Sequence, residues 1–134
     1  MSELEYGLLG EKLGHSFSPQ IHGALADYRY TLCEKTPEEL DDFLKNGDFT
    51  GLNVTIPYKK TVIPYCAELS DQARKIGAVN TIVRRPDGTL LGHNTDYFGF
   101  AYLLRQSGIA VAGKKCLVLG TGGASVTVQA VLRE

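Results

Sequence analysis

YTLCEKTPEELDDFLKNGDFTGLNVTI, residues 30–56, reads as strand, helix, strand, and that alternation decides the fold. Tyr30 to Glu34 is a short strand-forming run. Thr36, Pro37, Glu38 and Glu39 then form a capping box with a first-turn proline, because the Thr oxygen and the Glu side chain can each satisfy a backbone N–H left open at a helix start. Leu40, Phe43 and Leu44 fall on one helical stripe, and Asn46 with Gly47 ends it. Residues 50–56 form a second apolar strand. Strands joined through a helix pair in parallel. The unit therefore predicts an α/β fold: a mostly parallel sheet with helices on both faces.

Working outward, residues 6–10 read as a strand, and Ser18 as the N-cap of a helix with Pro19 at its first position. Ile21, Ala24, Leu25 and Tyr28 follow at helical spacing. Residues 57–66 and 70–76 predict short helices, and 78–84 and 89–93 two strands around the turn signal Pro86, Asp87, Gly88. Residues 97–106 predict a helix with Phe100, Leu103 and Leu104 inward, closed by Ser107 and Gly108. The run VAGKK (111–115) marks a boundary between a first domain, 1–110, and a second unit, 111–134. That unit opens with a buried strand, 115–119, a Gly-rich turn and a helix, 123–133, carrying Val128, Val131 and Leu132 on one face.

At 134 residues, with 43% hydrophobic and 22% charged residues and a net charge of −1, the composition is that of an ordinary globular protein. No basic excess points to nucleic acid or an anionic membrane, and no apolar run is long enough to span a bilayer. The first residues lack a charged segment followed by an apolar one, so no secretory signal is read. Cys33, Cys66 and Cys116 are odd in number and set among apolar residues, which predicts buried, reduced thiols and a cytoplasmic protein. His15 and His22 have no Cys or carboxylate partner at ligand spacing, and no metal is expected.

The chemistry lies in NVTIPYK (53–59), GAVNT (77–81) and NTD (94–96). Strand ends there deliver Asn53, Thr55, Asn80 and Asp96 beside the amine of Lys59. Such groups suit a polyhydroxylated small molecule bound at the strand ends of an open α/β sheet. Asn53 and Asn94 can equally tie down their own loops. In SFSP (16–19) two serines flank Phe17 beside a helix start, where an anion is favoured. In GTGGAS (120–125) glycines follow an apolar strand and open a helix, the setting of a dinucleotide fingerprint, with Ser125 where the generic pattern has a third glycine.

In that order and spacing these motifs closely resemble the shikimate dehydrogenases, from about Tyr6 to the last residue. The resemblance implies reversible NADPH-dependent reduction of 3-dehydroshikimate to shikimate, in the biosynthesis of chorismate and the aromatic amino acids. It implies Lys59 and Asp96 as the catalytic pair flanking the substrate hydroxyl, Ser16 and Ser18 on the carboxylate, and Thr55 and Asn80 on other hydroxyls. It assigns Gly120, Thr121, Gly122, Gly123 and Ala124 to NADP, with Asp71 as an added cofactor contact. The oligomeric state stays open, a homodimer among the options. A dinucleotide domain needs further βα units and a residue about 20 positions past the glycines to read the ribose, so the chain is expected to be truncated and inactive alone. Two alternatives remain: a quinate/shikimate dehydrogenase with relaxed cofactor use, and a non-catalytic shikimate-binding module.

Overall fold

The computed structural model describes residues 5–134. The reading of no secretory signal rests largely on residues 1–4, outside that range. The elements are β1 (Tyr6–Gly10), α1 (Ser18–Leu25), β2 (Tyr30–Glu34), α2 (Pro37–Asn46), β3 (Gly51–Val54), a 3₁₀ turn (Ile63–Tyr65), β4 (Glu68–Leu69), α3 (Asp71–Ile76), β5 (Thr81–Arg84), β6 (Leu90–His93), α4 (Asp96–Ser107) and α5 (Gly123–Leu132). One six-stranded sheet runs in the order β2-β1-β3-β5-β6-β4. β1 pairs in parallel with β2 and β3, and β4 with β6. β5 runs antiparallel between β3 and β6.

Strand alternation sorts the side chains into two faces. Leu9, Cys33, Leu52, Val54 and Ile82 lie on one, and with Leu40 and Leu44 of α2, Phe49, Val62 and Val79 they form the core. Tyr6, Tyr30, Asn53 and Thr81 lie on the other, where α1 stacks the His22 ring on Tyr30 with centroids 3.8 Å apart. α2 forms as its capping box requires, the Thr36 N–H donating to Glu39 Oε2 at 2.9 Å. Ser70 caps α3 by accepting the Ala73 N–H at 3.2 Å. Ser70→Ala should therefore lower unfolding stability by about 1 kcal/mol, read from urea denaturation. An unchanged midpoint would show that this N–H is satisfied by water instead.

Several expectations are corrected. Phe17, not Ser18, is the N-cap residue of α1, and Ser18 is its first helical residue. Ser16 Oγ accepts the Ser18 N–H at 3.2 Å and turns the chain earlier than a Ser18 cap would. The stripe expected on α1 is not buried: Ile21 and Leu25 are exposed, and Tyr28 lies beyond the helix. Leu103 is likewise exposed on α4. Residues 57–66 form turns with only the short 3₁₀ segment. Residues 115–119 form no strand, because no other segment among the described residues pairs with them. Leu117 and Leu119 are accordingly 85% and 88% exposed. Cys33 is buried, Cys66 half-buried and Cys116, in the unpaired segment, exposed.

Candidate functional site

Thr55 leaves β3 with its N–H donating to Leu9 O at 2.9 Å, and its own carbonyl accepts the Tyr58 N–H at 3.0 Å. The turn between them carries the cis Ile56–Pro57 bond. Gly10, at the end of β1, makes room for this turn: a Cβ there would lie 2.9 Å from Thr55 Cγ2 and 2.6 Å from Leu13 Cδ2. Lys59 follows, its carbonyl accepting the Val79 N–H at 2.7 Å, which locks the turn to the segment before β5.

Lys59 Nζ donates to Asp96 Oδ2 at 2.7 Å. The two residues are 37 positions apart in sequence, and the sheet brings them together. Lys59 is 18% exposed at its side chain and Asp96 43%, so the ammonium is the more enclosed partner. Asp96 is the first residue of α4, where a carboxylate is favoured by the helix dipole. The pair faces solvent far enough to receive a small molecule.

Asn80 is buried and held by residues whose site role the sequence did not show. Its Oδ1 accepts the Thr95 N–H at 2.8 Å and the Thr81 hydroxyl at 3.1 Å, while Nδ2 donates to Thr95 Oγ1 at 2.9 Å. A primary amide has two N–H donors, and one of those on Asn80 goes to Thr95. Thr95 is the residue missed: it sits between Asn94 and Asp96, and a threonine before a helix reads from sequence as a cap.

Asn53 is tied into its own neighbourhood. Its Oδ1 accepts the Tyr30 hydroxyl at 2.8 Å, and its Nδ2 donates to Thr81 Oγ1 at 3.3 Å. Burial pushes the Tyr30 phenol up to about 12, the nearby Tyr28 and Cys33 adding and the Ser18 hydroxyl opposing. Tyr30 thus stays a donor to Asn53 at neutral pH.

Two open cavities meet at Thr55. One, of about 760 Å³, is lined by Ser16, Ser18, Lys12, His15 and Thr55 among others. The other, of about 640 Å³, is lined by Thr55, Lys59, Lys60 and the glycine turn from Gly120 to Ser125, Thr121 excepted. Asn80 and Asp96 line neither wall; Asp96 reaches the second cavity through its bond to Lys59.

The glycine turn is built as a cradle. Gly120 has φ 133°, open to glycine, and its carbonyl accepts the Ser125 hydroxyl at 2.7 Å. Ser125, the departure from the generic pattern, thereby ties the turn closed, and Gln129 Nε2 donates to it at 3.1 Å. Gly122 precedes α5 and Gly123 opens it, with open space around Gly122. A Cβ on Gly123 would lie 3.1 Å from Lys59 Cδ, so the helix start presses directly on the lysine stem. Unpaired N–H groups at such a helix start and the absence of side chains fit a pyrophosphate.

Asp71 stands apart. It opens α3, its side chain is 94% exposed and paired with Arg74 at 3.4 Å, and it lines neither cavity. Among the described residues no three His, Cys, Asp or Glu side chains cluster as a metal site, and no helix is long and apolar enough to cross a membrane.

Residues 8–82, which carry most of this geometry, match the family model described as the shikimate dehydrogenase substrate binding domain. A shikimate dehydrogenase (NADP(+)) of Clostridium beijerinckii is 45% identical over 131 residues, covering 92% of this chain and 48% of that protein. The crystal structure of shikimate dehydrogenase 1 from Peptoclostridium difficile superposes with a TM-score of 0.89 at 40% identity, over 97% of this chain and 51% of that one. Shikimate 5-dehydrogenase from Thermus thermophilus, solved in complex with NADP(H) and shikimate, gives 0.85 at 36% identity, over 97% and 52%. The chain spans about half the length of the relatives it matches. A six-stranded sheet with Lys59 and Asp96 joined past the ends of its inner strands β3 and β6, a glycine turn pressed on the lysine, and these matches lead to one conclusion: the chain belongs to the shikimate dehydrogenase family, its residues 8–82 matching that family's substrate-binding domain.

Proposed function

We propose that this chain is the shikimate-binding part of an NADP-linked shikimate dehydrogenase, which interconverts shikimate and 3-dehydroshikimate. Residues 1–110 form the substrate unit, and 111–134 open the dinucleotide-binding unit. The observation that carries the reading is the 2.7 Å Lys59–Asp96 pair, set where the glycine turn meets the sheet. NADP, when bound, supplies or accepts the hydride.

The chain's own residues do the rest. Ser16 and Ser18, on the wall shared with Lys12 and His15, hold the substrate carboxylate. Thr55, at the junction of the two cavities, takes a ring hydroxyl, and Asn80 gives its remaining N–H to another. The Lys59 ammonium stands ready to give a proton to the alkoxide oxygen as the ketone is reduced, and takes it back in the reverse direction. Asp96 holds both Lys59 Nζ and the reacting hydroxyl in place. Gly120, Thr121, Gly122, Gly123 and Ala124 form the turn that receives the pyrophosphate; Asp71 does not line this cavity.

A double variant, Ser16→Ala with Ser18→Ala, tests the carboxylate assignment. The unmodified protein should bind shikimate in preference to its methyl ester by about tenfold or more, a factor worth about 1.4 kcal/mol. The double variant should lose that preference. An unchanged ratio, measured by titration of both ligands, would place the anion elsewhere.

A further inference from the structure

We infer that Asn94 and Thr127 form a buried pivot that fixes the orientation of α5, and with it the glycine turn, against the Lys59–Asp96 pair. Asn94 is 1% exposed, and its amide makes three bonds, to α4, to α5 and to the segment before β5. Its Oδ1 accepts the Tyr97 N–H at 3.1 Å, which fixes the first turn of α4 and therefore Asp96. Its Nδ2 donates to Ala78 O at 3.1 Å, in the segment leading to Asn80, and to Thr127 Oγ1 at 3.3 Å, on α5.

Thr127, also buried, passes the connection on. Its hydroxyl hydrogen goes to Gly123 O at 3.1 Å, leaving a lone pair to accept from Asn94. The bonds thus run in one direction, from Asn94 to Thr127 to Gly123. Gly123 is the residue whose missing Cβ leaves room for the Lys59 stem. One amide therefore sets both members of the catalytic pair: Asp96 through α4, and the surface behind Lys59 through α5.

α5 also packs along α4 and against α3, but its other polar ties to the rest of the chain are of a different kind. Glu134, past the helix's far end, accepts from the exposed Lys75 of α3 at 3.2 Å and from the half-buried Tyr97 of α4. Exposed pairs of this sort hold geometry weakly because solvent and entropy compete with them. A buried amide cannot exchange its partner for water without leaving a polar group unpaired. The buried polar tie on α5 is therefore the one at Thr127, one turn from Gly123. The functional consequence rests on the dinucleotide reading above: a displacement of about 1 Å at the glycine turn can cost about 10²-fold in rate, because hydride transfer depends on alignment. Asn94 and Thr127 act as positioning residues and touch neither ligand.

Thr127→Val keeps the shape of the side chain and removes the acceptor; Thr127→Ser keeps the acceptor and removes the methyl group. Residual dipolar couplings measured on the labelled protein give the orientation of α5 relative to the sheet. In the parent and in Thr127→Ser, couplings of α5 and of β1–β6 should fit one alignment tensor. In Thr127→Val the α5 couplings should depart from the sheet's tensor while the sheet couplings stay as they were. A Thr127→Val protein whose α5 still fits the sheet's tensor overturns the pivot. So does one that loses its cooperative fold altogether, since the hydroxyl would then serve general stability. Shikimate added to each variant separates the two readings: equal shifts at Ser16 and Thr55 in all three proteins support the substrate site independently of the pivot, and their absence from all three counts against the substrate site alone.

Discussion

In an NADP-competent enzyme containing this chain, Lys59→Ala should lower turnover by about 10²–10⁴-fold, the usual contribution of a positioned proton donor. Shikimate affinity should change by less than about tenfold, because Ser16, Ser18, Thr55 and Asn80 remain. Lys59→Arg sharpens the test. A guanidinium can keep the pairing with Asp96 but stays protonated at any working pH, so it can hold the hydroxyl without giving a proton. If proton delivery is the role, Arg should restore affinity and not rate. Near-normal turnover in the alanine variant would remove Lys59 from the chemistry, and full recovery by arginine would make its role electrostatic. Both readouts come from steady-state rates alongside direct titration of shikimate.

A polypeptide of these 134 residues alone should fold its sheet and yet give no NADPH oxidation above background with 3-dehydroshikimate. The core of Leu9, Leu44, Leu52, Val54 and Ile82 closes within the first unit. The cofactor side is different. Residues 115–119 find no strand partner among the described residues, and the glycine turn offers backbone for a pyrophosphate alone. No element among the described residues grips the adenosine or holds a nicotinamide ring over the substrate carbon, and hydride transfer is steep in that placement. Measurable turnover by the purified polypeptide, surviving a control for contaminating enzyme, would contradict this account.

What could be read from the residues, and what could not, follows from where each element obtains its stability. β1, β2 and α2 formed as expected because their apolar residues meet partners close by in the same sheet, and the Thr36 and Glu39 pattern marks the helix start locally. The turn at Pro86, Asp87 and Gly88 likewise announced β5 and β6. β4 could not be read: Glu68 and Leu69 carry no periodicity, and they become a strand only by pairing with Leu91 and Gly92. The opposite error came from Ile21, Leu25, Leu117 and Leu119. Apolar spacing says that a face wants a partner, not that one is present, and these side chains are exposed.

The site divides in the same way. Its residue types were legible as motifs, and the family they resemble is the one the comparisons show. The meeting of Lys59 with Asp96 needed the sheet. The work of Thr95 and Thr127 needed the hydrogen bonds, since a threonine before a helix reads as a cap and one within a helix carries no distinct sequence signal. Asn94, open in sequence between ligand and loop anchor, is the anchor, buried and bonded through both ends of its amide.

The most direct measurement of the central claim is a shikimate titration of the labelled protein followed residue by residue in NMR spectra. A site lacking contacts from the remainder of the enzyme should bind weakly, with a dissociation constant on the order of millimolar, about −4 kcal/mol. Amides of Ser16, Ser18, Thr55, Lys59, Asn80 and Asp96 should shift together along one saturating curve, while Asp71 and residues 115–119 stay still. Shifts that cluster elsewhere, or none at these six residues at tens of millimolar ligand, would contradict the placement of the substrate at the Lys59–Asp96 pair.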